Sequence, residues 1–184
     1  MRQGLVTLIR RAALRRRFGW GEEEFVTLFV GRLVERKGLG DLFAALPGLP
    51  PGTRLAVAGP GDMSPWSALA RQREAADRVD FLGAVDEETL PLLYRGADLF
   101  AAPSRERPEE DDIEGFGIVF LEAAASGLAV LSTRTGGIPE AVEEGVSGIL
   151  VPPADPLALA EAWRGLAADP QRRRSLGEGG RRGR

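Results

Sequence analysis

Along the 184 residues, apolar positions alternate between two rhythms. Short continuous runs at Phe25-Val26-Thr27-Leu28-Phe29-Val30, Arg54 to Ala58, Val79 to Leu82, Asp98 to Ala102, Ala129 to Ser132 and Gly148 to Val151 predict strands covered on both faces. Between them, apolar residues recur at helical spacing. Helices are expected from about Leu39 to Leu46, Trp66 to Asp77, Asp86 to Tyr94, Gly117 onward, and Pro156 to Ala168, with a short Arg-rich helix after that. Within residues 1–20, Leu5, Ile9, Ala13 and Leu14 stand against Arg10, Arg11, Arg15, Arg16 and Arg17, which predicts a basic, solvated lead-in helix. The stretch from Gly177 to Arg184 is expected to be a loose tail. There is no internal repeat.

Strands and helices alternating at this spacing predict one α/β domain over residues 1–184, a Rossmann-like three-layer sandwich with a mostly parallel sheet. Ligands of such sheets bind beyond the carboxyl ends of the strands. Three turn-rich segments fall there: Gly31 to Gly38, Gly83 to Glu87, and Glu114 to Glu122.

Composition narrows the chemistry. A net charge of −3 provides no global basic field to attract nucleic acid. With no cysteine, disulfide frameworks and thiolate metal sites are excluded, and with no histidine the commonest general base and metal ligand is missing. No apolar run reaches the length of a membrane span and no signal-peptide pattern opens the chain, so a cytoplasmic location is expected. Only Lys37 is lysine among the 24 Lys and Arg residues. In a chain that otherwise uses arginine, a retained lysine marks a position suited to a compact point charge.

The central stretch is Glu114-Gly115-Phe116-Gly117-Ile118-Val119-Phe120-Leu121-Glu122. The amides of Gly117, Ile118 and Val119 would emerge at a helix N-terminus, a setting that favours phosphate. Two carboxylates bracketing that anion site suit a ligand with both hydroxyls and phosphates, such as a nucleotide sugar. Arg32 and Lys37, past the end of the first strand, can converge on a diphosphate as a planar fork and a point charge. The bland alternative leaves each of these charges as a solvated surface residue.

In order, Gly31-Arg32 with Lys37-Gly38, Phe81-Leu82-Gly83, Pro103-Ser104, Glu114-Gly115-Phe116-Gly117, Leu121-Glu122-Ala123, Gly136-Gly137 with Glu140, and Gly148-Ile149-Leu150-Val151 resemble the C-terminal, donor-binding half of a group 1 (family 4) GT-B glycosyltransferase. The resemblance implies that Arg32 and Lys37 hold the donor diphosphate and that Glu122 takes the ribose hydroxyls. It further implies that Glu114 contacts the donor sugar, with Gly31 and the amides of Gly117, Ile118 and Val119 beside it, and that Val85 packs by the nucleobase. It implies a nucleoside-diphosphate sugar as partner, transfer with retained configuration, and no metal or other cofactor. The acceptor-binding N-terminal half of such enzymes is missing from this sequence and would be a further partner. The segment Arg105 to Ile113 is longer and more acidic than the usual link, and its run Glu109, Glu110, Asp111, Asp112 reads as a solvated stretch rather than a divalent site. A stand-alone nucleotide-sugar binding module without catalysis is the alternative. A dehydrogenase domain is disfavoured because no G-x-G-x-x-G follows the first strand, and a receiver domain because no acidic cluster ends it.

Overall fold

A computed structural model describes residues 11–105 and 117–183. The elements are α1 (Arg11–Arg17), β1 (Phe25–Val30), α2 (Leu39–Ala45), β2 (Thr53–Ala58), α3 (Ser64–Gln72), β3 (Val79–Gly83), α4 (Leu90–Gly96) and β4 (Leu99–Ala102). They continue with α5 (Ile118–Ala125), β5 (Val130–Thr133), α6 (Ile138–Ala141), β6 (Gly148–Val151), α7 (Pro156–Ala168) and α8 (Pro170–Arg182). The six strands form one sheet in the order β3-β2-β1-β4-β5-β6, and every pair is parallel. Right-handed crossovers place α2 and α3 on one face and α4, α5 and α6 on the other, because the strand order reverses direction after β3. Helix α7 returns to pack on α2 and α1 packs on α4, which completes the three layers expected from the sequence. No helix among the described residues is long and apolar enough to cross a membrane.

Central position explains the continuous apolar runs. From Val26 to Phe29, β1 is wholly buried between the helical layers, so its outward-pointing and inward-pointing side chains alike must be apolar or satisfied. Each fully buried Leu or Phe here stabilises the fold by about 1.5–3 kcal/mol. The exception is Thr27, whose hydroxyl accepts a 2.8 Å hydrogen bond from Trp163 Nε1 on α7. That bond orients the largest core side chain and fixes α7 over β1.

Two expectations are corrected at the chain ends. The lead-in helix is described only from Arg11 to Arg17, and it is not solvated all round, since Leu14 and Arg15 are buried. Arg15 is satisfied by Asp98 Oδ2 at 3.0 Å and by the carbonyls of Gly21, Glu24 and Gly96. Asp98 also takes Arg11 at 2.6 Å and the Val26 amide at 2.8 Å, so one carboxylate joins α1, β1 and the start of β4. The expected loose tail from Gly177 is instead helix through Arg182. Small residues allow it. A Cβ on Gly177 would stand 2.0 Å from the Gly127 carbonyl oxygen, and one on Gly179 1.9 Å from that of Val146, so α8 docks backbone to backbone beside α5 and β6.

Helix boundaries also shift. The helix expected from Trp66 to Asp77 ends at Gln72, and the chain turns through Glu74 at φ 57° before a 3-10 turn at Ala76–Arg78. The next one begins at Leu90 rather than Asp86, whose side chain accepts the Thr89 amide at 2.7 Å and closes the preceding turn.

Tyr94 on α4 is 2% exposed and leans on Phe100 of β4, with ring centroids 5.8 Å apart. Phe100 in turn meets Phe120 of α5 edge-on at 5.8 Å. The Tyr94 hydroxyl donates to Glu122 Oε2 at 2.9 Å. Burial first, then this contact with a carboxylate, pushes the phenol far above its ordinary range, so it remains a donor at any physiological pH.

Two predictions follow from these buried polar groups. Asp98→Ala leaves Arg15 buried without its counter-ion and should cost about 3–5 kcal/mol of stability, read by urea denaturation. Because Tyr94 is raised in the folded state, its contribution is complete below the unfolded phenol value of about 10 and is lost as pH climbs above it. Stability should fall by about 1.4 kcal/mol per pH unit there. With no cysteine, one lysine and one tyrosine, few other groups titrate in that window. Tyr94→Phe should flatten the decline, and an unchanged slope in that variant would assign the loss elsewhere.

Candidate functional site

The site grows from the loop that leaves β1. Gly31 N–H donates to Ala58 O at 3.0 Å and Leu33 N–H to Pro60 O at 3.0 Å, so the loop first runs along the end of β2. It then tightens into a 3-10 turn at Glu35–Lys37, which ends on Gly38 in the left-handed region at φ 77°. Arg32 is exposed and Lys37 half-buried. The stem of Lys37 passes within 3.9 Å of where a Cβ on Gly31 would stand, so it folds back over the strand end. That position suits an ammonium directed at a ligand above β1.

Gly38 is where the two outgoing loops meet. A Cβ there would stand 1.8 Å from the Pro103 carbonyl oxygen, which no side chain can do. The positive φ and the contact both demand glycine. Just beyond, the Arg105 amide donates to Arg36 O at 2.7 Å. The Arg105 guanidinium forks onto Asp41 in the first turn of α2, with Nε to Oδ2 at 2.9 Å. The Asp41 side chain is 4% exposed, and its hydrogen bonds hold the guanidinium above its ordinary pKa. From β5, the Thr133 hydroxyl donates to Ser104 O, which fixes the segment from the other side. A cavity of 370 Å³ opens beside the clamp, lined by Glu35, Asp41, Trp66, Leu69, Arg73 and Arg105 among others. None of the predicted site residues among the described residues lines it.

On the other side of the strand-order reversal, α5 begins after Gly117, which caps it at φ 55° with no side-chain hydrogen bond to the first turn. Gly117 has no side chain with which to cap the first turn, and the amides of Gly117, Ile118 and Val119 lie at the N-terminus of α5, where backbone N–H groups point along the helix axis. Glu122 lies about one turn further on, half-buried, with its carboxylate held by Tyr94. Val85 is half-buried just past β3, against the core and ahead of α4, the helix that carries Tyr94. Beside it, hydrogen bonds from Thr89 hold Asp86 below the usual carboxylate range. Glu114 and the acids Glu109, Glu110, Asp111 and Asp112 lie outside the described residues.

The structure thus brings Gly31, Arg32, Lys37, Gly117, Ile118, Val119, Glu122 and Val85 to one edge of the sheet. Cations from the β1 loop and amides of α5 can share a polyanion, and Glu122 can accept from hydroxyls attached to it. Two contributors were not singled out from sequence. Tyr94 carried a weak signal as the chain's single tyrosine, and Arg105 as a cation directly after Pro103-Ser104. Their partners are distant in the chain, so spacing could not reveal them.

Comparisons with known proteins bear on the family and the fold. The family described as "Glycosyl transferases group 1" matches residues 10–183. A GDP-mannose-dependent alpha-(1-6)-phosphatidylinositol monomannoside mannosyltransferase of Mycolicibacterium smegmatis is 40% identical over 175 residues, covering 93% of this chain and 46% of that protein. Among solved structures, sucrose-phosphate synthase from Thermosynechococcus elongatus superposes with a TM-score of 0.83 at 34% identity, over 93% of this chain and 43% of that one. The Anabaena HepE protein in complex with UDP-glucose superposes with a TM-score of 0.83 at 28% identity, over 94% of this chain and 46% of that one. The chain spans less than half the length of each of these proteins. With its ordered motifs, its all-parallel sheet and a match across nearly its whole length, the chain belongs to the group 1 glycosyltransferases.

Proposed function

We propose that the chain is the donor-binding half of a cytoplasmic glycosyltransferase that takes a nucleoside-diphosphate sugar and transfers the sugar with retained configuration. The observation that carries this reading is the meeting of the Gly31 to Gly38 loop, the α5 N-terminus and Glu122 at the edge where strand order reverses. That edge is where open α/β sheets bind nucleotides. The mannosyltransferase relative uses GDP-mannose, and the Anabaena structure holds UDP-glucose. A nucleotide-activated hexose is the donor class common to both.

In this reading Arg32 and Lys37 bind the diphosphate and stabilise its charge as it departs. Such stabilisation acts on the transition state because the leaving group gains charge as the glycosidic bond breaks. The amides of Gly117, Ile118 and Val119 meet sugar and phosphate, Glu122 accepts from the ribose, Gly31 lets the backbone pass close to the ligand, and Val85 flanks the base. Glu114 is assigned to the donor sugar on its motif alone. Arg32 and Lys37 supply the positive charge, so no metal or cofactor is required. The acceptor is held by a second domain, and a single half supplies only one of the two reactants that near-attack geometry needs.

The reading is tested by calorimetric titration of the chain with UDP, GDP and their nucleosides, with and without a chelator. Glu122→Ala should weaken nucleotide binding by roughly ten- to hundredfold, the value of a charge-assisted hydrogen bond, while changing stability little. Unchanged affinity would remove Glu122 from the site. Lys37→Arg should lose affinity for the diphosphate although it keeps the charge, because a longer planar fork does not fit the place of a compact ammonium. The same variant should bind free nucleoside like the parent. If Lys37→Arg and Lys37→Ala both follow the parent's binding curves at low and high salt, Lys37 has no part in diphosphate binding.

A further inference from the structure

Glu122 is half-exposed on a helix, a setting in which a glutamate ordinarily samples several rotamers. Here it does not stand alone. The Tyr94 hydroxyl meets Oε2 at 2.9 Å and lies 3.4 Å from the Val119 carbonyl oxygen in the first turn of the same helix. The ring that carries this hydroxyl is 2% exposed and packs on Phe100, which packs on Phe120, so α4, β4 and α5 together immobilise it.

We propose that Tyr94 is a positioning residue for nucleotide recognition, holding the Glu122 carboxylate in the one orientation that accepts ribose hydroxyls and so setting the discrimination between ribonucleotides and deoxyribonucleotides. The inference rests on the assignment of Glu122 to the ribose and adds a residue that touches no ligand. Its chemistry favours a phenol over a cation. An arginine or lysine at this place would neutralise the carboxylate and satisfy it in the ligand's stead. A neutral O–H fixes direction, leaves the negative charge intact, and occupies one of about four acceptor positions on the carboxylate. The remaining positions suffice for two vicinal hydroxyls. A loosely held glutamate would bind the same hydroxyls only after losing its rotamer freedom, and the ribose would then add little to affinity.

The experiment compares the parent, Tyr94→Phe, Glu122→Ala and Leu166→Ala by calorimetric titration with UDP and GDP and with their 2′,3′-dideoxy forms. The parent should prefer the ribo form by about tenfold or more, the scale of hydrogen bonds to a charged group. Glu122→Ala should abolish the preference. Tyr94→Phe should still bind the diphosphates but reduce the preference to about threefold or less. Leu166→Ala, a core truncation on α7 away from this ring stack, should lower the melting temperature and keep the preference. If Glu122→Ala retains the preference, the ribose assignment itself is wrong and the role of Tyr94 goes with it. If Glu122→Ala loses the preference while Tyr94→Phe keeps it, the ribose assignment stands and the positioning role alone is overturned. A measurement on the unmutated chain guards against a variant that does not fold. Tyr94 is the only tyrosine, so tyrosine labelled at the ring carbon bearing oxygen gives a single NMR signal. That signal should move on saturation with UDP or GDP and stay in place with the dideoxy forms. Equal shifts with both would defeat the proposal.

Discussion

The geometry of the ligand edge depends on how closely two stretches of backbone approach each other. Gly38 and the Pro103 carbonyl occupy a space that admits a hydrogen and nothing larger. β1 and β4 are neighbours in the sheet, but the chain leaves them toward opposite helical layers. A crevice between their outgoing loops is the automatic result of that parting. The Gly38 contact, the Arg36–Arg105 backbone bond and the Asp41–Arg105 ion pair limit its width by tying the start of one loop's helix to the root of the other. Lys37 directly precedes that seam. Any residue with a Cβ at 38 would push the loops apart and move the ammonium with them.

Polar groups inside the fold are distributed by edge. At the amino ends of the strands, Asp98 gathers Arg11, Arg15 and the Val26 amide, an arrangement whose disruption strands a buried cation. At the carboxyl ends, besides the Asp41–Arg105 and Arg134–Glu144 ion pairs, smaller neutral bonds join the strand exits. Ser132 donates to the Ala102 carbonyl and Thr133 to that of Ser104, and both hold β4's exit against β5. Thr27 and Trp163 serve the middle. The buried cation Arg15 thus sits on the side away from the candidate site.

The sheet was legible because buried parallel strands write themselves as unbroken apolar runs, and β1, β2 and β6 lie where such runs were read. Helix α7 was legible to the residue, since Pro156 opens it and Asp155 caps it with a 3.0 Å bond from the Ala158 amide. Helix α8 was half missed. Gly177, Gly179 and Gly180 argue locally for loose chain, and only the backbone of Gly127 and Val146, far away in sequence, turns them into a docking surface. The candidate site divides the same way. Its loop and helix N-terminus follow from local motifs, whereas Tyr94 behind Glu122 and Asp41 behind Arg105 are pairs 28 and 64 residues apart that no spacing rule connects. Glu114, the residue most dependent on its motif, lies outside the described residues.

The glycines of α8 carry a further consequence. Each interior glycine costs a helix about 1 kcal/mol relative to alanine, and a helix of this length is marginal in water even with good formers. The helicity of Pro170–Arg182 therefore depends on its seat, helped by Arg181 reaching the Ser126 carbonyl and Arg173 covering the Phe25 ring at 4.6 Å. Such a segment opens as one unit at a free energy well below that of the sheet. When it does, five arginines spread along a newly extended strand become available at once to trypsin-like proteases.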